Sequence, residues 1–194
     1  MAATRSKNRK QDILVALATM LEENTGSGIT TAALARKVGV SEAALYRHFP
    51  SKAKMFEGLL DFIDQSVFTL INRIQEEDSS CAGRVQKIMA LIMGFADKNP
   101  GIARLLYGDV LLTESERLQN RVEKFYDQVG AQLRQILRQG AMEKSFDYPV
   151  EDITSMLMYI MEGSIAHYVR SGYRDKPLAG WDSHWAMLEK SIFN

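Results

Sequence analysis

A single cysteine, Cys81, in 194 residues excludes an intrachain disulfide and a cysteine-built zinc site. Such usage suits a reducing cytoplasm. Apolar runs are short: MALIMGFA (89–96) falls well under the ~20 residues that cross a bilayer, so no membrane-spanning segment is expected. The N-terminus is polar and basic, with no apolar stretch before Asp12, so no leader peptide is expected. Also missing are a phosphate-binding glycine loop, a G-x-S-x-G turn, a cluster of metal ligands and a usefully spaced Cys/His pair. No enzyme, metal or cofactor is therefore expected, and His167 and His184 are read as structural histidines. Sustained period-two alternation is absent, which argues against sheet.

Charge of one sign is not in excess: 24 Lys and Arg balance 24 Asp and Glu. The balance hides an asymmetry. Residues 1–56 carry nine cations against four anions, or +5, and the remainder carries −5. A basic N-terminal module on an acidic body fits a phosphate-binding headpiece with a separate regulatory part.

The module's most informative stretch is Thr30–Lys52, TTAALARKVGVSEAALYRHFPSK. Thr30 and Thr31 can cap a first short helix, with Leu34, Ala35 and Val38 on its inner face. Gly39 marks a turn that needs positive φ. Ser41 caps a second short helix, Leu45 and Phe49 face inward, and Pro50 forces an end. Two short helices joined this way form a helix-turn-helix, whose second helix enters a DNA major groove. Ser41, Glu42, Ala43, Ala44 and Arg47 lie at the front of that helix. Arg47 could read guanine, Glu42 could accept from cytosine N4, and Ala43 could meet a thymine methyl. Thr30, Thr31, Tyr46, His48 and Lys52 are placed to meet phosphates. The basic tail Arg5–Lys10 either reaches along the DNA or is a solubilising extension.

The rest reads as helices. The expected spans are about 8–24, ended by Gly26–Gly28; 51–77, begun by a Ser51 cap; 82–98, broken by Asn99-Pro100-Gly101; 101–109; 114–139; 153–169; and 181–192. The loop SGYRDKPLAG (171–180) is expected to be polar and mobile. Helix 153–169 is apolar nearly all round, so its second side is expected to meet another subunit, with Ile160 and Ile165 at that contact. Its partner in a four-helix dimer bundle is either Leu118–Leu137 or Trp181–Ile192.

VGVSEAALYRHFPSK (Val38–Lys52) resembles the DNA-binding signature of the tetracycline-repressor (TetR) family. Ile29–Lys52, Gly94–Gly101 and Arg121–Arg138 together resemble the nucleoid occlusion factors within it. The resemblance implies an all-α fold: a three-helix headpiece over residues 1–50, and a dimerisation and partner-binding body over 51–194, linked by the long helix from Ser51. It implies backbone contacts at the phosphate positions named above. It further implies a cytoplasmic, nucleoid-associated homodimer that binds double-stranded palindromic DNA and the C-terminal tail of the division protein FtsZ. The matching FtsZ-binding positions are Phe62, Leu70, Leu91, Gly94, Lys98 and Asn99, with Leu70 where the family has a cation. The other role the family offers is that of a ligand-responsive repressor.

Overall fold

In the computed structural model, which describes residues 2–23, 28–78, 80–112 and 114–193 (side chains from residue 9), every regular element is helical. The elements are α1 (Ala2–Glu23), α2 (Thr31–Val38), α3 (Glu42–His48), α4 (Lys52–Glu77), α5 (Cys81–Lys98), α6 (Pro100–Tyr107), a 3-10 turn (Asp109–Leu111), α7 (Glu116–Glu143), α8 (Val150–Arg170) and α9 (Trp181–Ile192). None of them is long and apolar enough to cross a membrane. Backbone helix begins at Ala2, so Arg5–Lys10 continues α1. Of the expected Gly26–Gly28 terminator, Gly26 and Ser27 lie outside the described residues.

The chain forms two compact units, Met1–Ile63 with Asn99–Val122, and Asp64–Lys98 with Glu123–Asn194. In the first, α1 packs on α2, α3 and α6. Its core includes Leu17, Leu34, Leu45, Phe56, Leu60 and Leu105. α6 starts with Pro100 in its first turn, where the missing N–H is harmless. It ends at Gly108 in the left-handed region (φ 88°). Arg104 is buried. Its Nε donates to the Asp109 carboxylate at 3.1 Å, and its Nη1 donates to the Leu21 carbonyl at 3.1 Å, capping the end of α1 from inside.

In the second unit α5 packs on α8 and α9. Phe68 meets Phe125 edge-on, and Gln75 donates to Gln132 at 2.7 Å. α7 runs past its expected end at Gln139. Gly140 does not terminate it: Gly140 is buried within the helix, and a Cβ there would stand 2.5 Å from the Cys81 sulfur. The glycine serves close approach rather than capping.

Segment 171–180 is also unlike the expected loose polar loop. The Tyr173 N–H donates to the Tyr168 carbonyl at 2.9 Å, Pro177 is buried, and Lys176 pairs with Asp97 at 2.7 Å. Tyr173 takes a positive φ of 65°, uncommon for a bulky residue, and its ring sits against Tyr168. The short apolar and hydrogen-bonded contacts outweigh the segment's polar composition.

One half-buried acid carries a stability prediction. Burial, and then the charge of Asp127, raise the Glu162 carboxyl above its ordinary value of 4.5. A raised carboxyl pKa means the folded state favours the neutral acid, so stability falls as pH rises from about 4.5 through the folded value. At neutral pH the full penalty applies. Glu162→Gln should therefore raise Tm at pH 7 by about 1–3 °C, discounted for partial exposure. The gain should vanish below about pH 4 in paired melting curves.

Candidate nucleic-acid interface and partner faces

Local chemistry builds the helix-turn-helix. Thr30 is extended (φ −100°, ψ 148°), and its hydroxyl accepts from the Ala33 N–H at 3.2 Å. At the far end Gly39 takes φ 75°. Its N–H donates to the Arg36 carbonyl and that of Val40 to Ala35, closing a Schellman turn. The Ser41 hydroxyl accepts from the Ala44 N–H at 3.2 Å and starts α3. Phe49 leaves the helix extended (φ −135°, ψ 107°) ahead of Pro50. The Ser51 hydroxyl accepts from the Lys54 N–H at 3.2 Å as α4 begins.

The front of α3 is presented to solvent: Ser41, Glu42, Ala43, Tyr46 and Arg47 are exposed, while Ala44 and His48 are half-buried. Three of these side chains do something that sequence spacing does not reveal. Tyr46 Oη donates to Thr31 Oγ1 at 3.3 Å, and Thr31 Oγ1 donates to Glu42 Oε2 at 2.9 Å. Glu42 thus orients two hydroxyls at the edge of the motif. Arg47 Nε donates to the Ala43 carbonyl at 3.4 Å, which parks the guanidinium along its own helix. Lys52 Nζ lies 2.5 Å from Glu114 Oε1. Sequence reasoning missed Glu114: it lies far along the chain, and no local pattern marks it.

The six positions expected to meet FtsZ fall in both units. Phe62 is half-buried on α4, and Asn99 precedes α6, its carbonyl accepting from the Ile102 and Ala103 N–H groups. In the second unit Leu70 is exposed, Leu91 is half-buried and Lys98 is exposed in the last turn of α5. Gly94 packs inward: a Cβ there would stand 3.3 Å from Leu178.

α8 exposes apolar side chains. Tyr159 is 74% exposed and Met156 38%, and Ile160 is half-buried; on α9, Met187 is 64% exposed. Tyr159, Ile160, Gly163, Trp181, Met187 and Leu188 line a groove of about 650 Å³ between the two helices. His167 pairs with Asp175 at 3.0 Å at its polar end. Ile165, expected beside Ile160 at the subunit contact, is only 1% exposed and belongs to the core of its own chain. The outward face of α7, by contrast, is polar: Glu123, Lys124, Asp127, Gln128 and Gln135 are exposed.

Comparisons with known proteins agree with this architecture. The family model for bacterial regulatory proteins of the tetR family matches residues 13–59. That for the tetracyclin repressor-like C-terminal domain, SlmA-like, matches residues 80–192. The nucleoid occlusion factor SlmA of Marinomonas sp. (strain MWYL1) is 47% identical over 192 residues, covering 98% of each chain. SlmA of Vibrio cholerae is 46% identical over 195 residues, covering 99% of this chain and all of the relative. Among solved structures, a TetR transcription regulator from Haloarcula marismortui superposes with a TM-score of 0.80 at 18% identity, covering 96% of this chain and 99% of the other. That likeness speaks to the fold alone. The relatives at 46–47% identity are nucleoid occlusion factors by name, and the chain is not an enzyme. A tetR-type helix-turn-helix, a matching C-terminal domain and full-length identity to these factors all lead to one assignment: the chain belongs to the SlmA family of nucleoid occlusion factors.

Proposed function

We propose that the protein is a cytoplasmic, nucleoid-associated homodimer that binds palindromic DNA, captures the FtsZ C-terminal tail and blocks division-ring assembly over the chromosome. The observation that carries this reading is 47% identity across 98% of the chain to a nucleoid occlusion factor. The division of labour follows the sequence: 1–50 as the DNA-binding headpiece, 51–194 as the dimerisation and partner-binding body.

α3 enters the major groove with Ser41, Glu42, Ala43, Ala44 and Arg47 toward the bases. Thr30, Thr31, Tyr46, His48 and Lys52 anchor phosphates. The exposed hydroxyl pair of Thr31 and Tyr46 supports this assignment. Glu42 acts first on Thr31, so its role at a base edge requires that bond to be exchanged.

The dimer uses the apolar faces of α8 and α9, with α9 rather than α7 as the partner helix. Supporting this, Tyr159 and Met187, which line the α8–α9 groove, are largely exposed in the single chain. A second copy would complete the covering of that groove.

Tail capture is assigned to Phe62, Leu70, Leu91, Gly94, Lys98 and Asn99. The exposure of Leu70 and Lys98 supports it, one offering apolar surface and the other a cation. The test is fluorescence anisotropy of a labelled FtsZ tail peptide, titrated with the protein with and without a palindromic duplex selected by it. Binding that tightens on DNA is the expected result, with Phe62→Ala and Lys98→Ala each weakening it. Absence of binding in both states, with DNA affinity intact, would overturn the division-control role and turn attention to a small-molecule effector.

A further inference from the structure

Lys52 stands in the first turn of α4, where the Ser51 cap and the helix N-terminus make a place for an anion. Its ammonium does not stand free there. It folds back 5.6 Å over the ring of Phe56, a side chain only 1% exposed, and reaches Glu114 Oε1 at 2.5 Å. The lysine side chain is 31% exposed and the glutamate 16%, so the pair is shielded better than a surface bridge. The neighbouring carboxylate, Glu57, already has cations of its own, Lys54 at 2.6 Å and Arg117 at 3.4 Å. Among the described residues, Lys52 is the cation paired with Glu114.

We propose that Glu114 sets the DNA affinity of the headpiece by competing with a DNA phosphate for Lys52. This rests on the reading of Lys52 as a phosphate anchor. A phosphate that draws Lys52 outward must break the ion pair and leave a mostly shielded carboxylate without its partner, which opposes binding. The opposite role, in which Glu114 aims Lys52 at the phosphate, predicts weaker rather than tighter binding for E114Q.

The test uses the full-length dimer and a palindromic duplex recovered by in vitro selection with the wild-type protein. Anisotropy titrations at several salt concentrations are run for E114Q, K52A and the double variant, with circular dichroism to check folding. E114Q should tighten binding about three- to tenfold at low salt. K52A should weaken binding. The double variant should match K52A, because without Lys52 there is nothing to compete for. E114D, which keeps the charge but shortens the reach by one methylene, should recover part of the gain and gives a readout should E114Q fold poorly. Unchanged or weaker binding by both E114Q and E114D would overturn the competition. So would an undiminished gain in the K52A background, which would reflect only the loss of a nearby negative charge. Failure of the wild type to select any duplex would instead overturn the DNA-binding reading beneath it.

Discussion

Glutamate in place of Ile160 should leave the protein monomeric and lower its affinity for a palindromic duplex by about 100-fold or more. Ile160 is half-buried on α8, next to exposed Tyr159 and one turn from exposed Met156, and lines the α8–α9 groove. Within one chain the position tolerates a charge, because water still reaches it. In a dimer it lies in an apolar contact, where an unpaired carboxylate loses its hydration without finding a partner. The proposed dimer sets one headpiece on each half-site, so separating the subunits removes the gain from holding two heads together. Sedimentation should show the loss of dimer directly, and circular dichroism should show an intact fold. Met187→Lys, on the neighbouring face of α9, should act in the same direction. If Ile160→Glu sediments as a dimer, the α8–α9 face is not the subunit contact.

The same substitution at Ile165 should behave differently. Ile165 is 1% exposed, so a charge there should unfold the chain rather than divide a dimer. This contrast marks where sequence reading stops. An all-apolar helix announces that more than one side is covered. It does not say which residues face the chain's own core and which face a neighbour, because both contacts select the same side chains.

Local chemistry was far more legible. Gly39, Ser41, Pro50 and Ser51 each act on a backbone atom within a few residues, and the structure places all four turns and caps at the expected positions. Gly140 shows the limit of that approach: the same residue type that ends α2 sits inside α7, because a distant cysteine needs the room. Segment 171–180 reads as polar by composition, yet it is tied down by contacts to Tyr168 and Asp97. For the headpiece, the exposed front of α3 was legible, but the internal partners of its side chains were not. Glu42 on Thr31 and Glu114 on Lys52 depend on how distant turns meet, which no periodicity encodes.

Valine at Gly101 should destabilise the protein by about 3 kcal/mol and lower Tm by roughly 6–12 °C. Gly101 lies in the first turn of α6, where that helix meets α1. A Cβ on Gly101 would run into the Ala18 carbonyl oxygen and also stand 2.7 Å from the Ala18 carbonyl carbon. The obstacle is backbone, so no rotamer change relieves it. Helix propensity pulls the other way, since alanine is favoured over glycine by about 1 kcal/mol in a helix interior. Overlap with a carbonyl is the larger effect, so Gly101→Ala should also lower stability, by a smaller amount. Relief requires α1 and α6 to move apart. That movement strains the Arg104 bond to the Leu21 carbonyl and loosens the packing of Ile102 and Leu105. α1 also supports α2 and α3, so the variant should lose DNA affinity at temperatures where the helices persist. Thermal melts of Gly101→Ala and Gly101→Val beside wild type decide the matter. A Gly101→Ala melt at or above the wild-type temperature would mean that helix propensity outweighs the contact, and that α6 does not clamp α1.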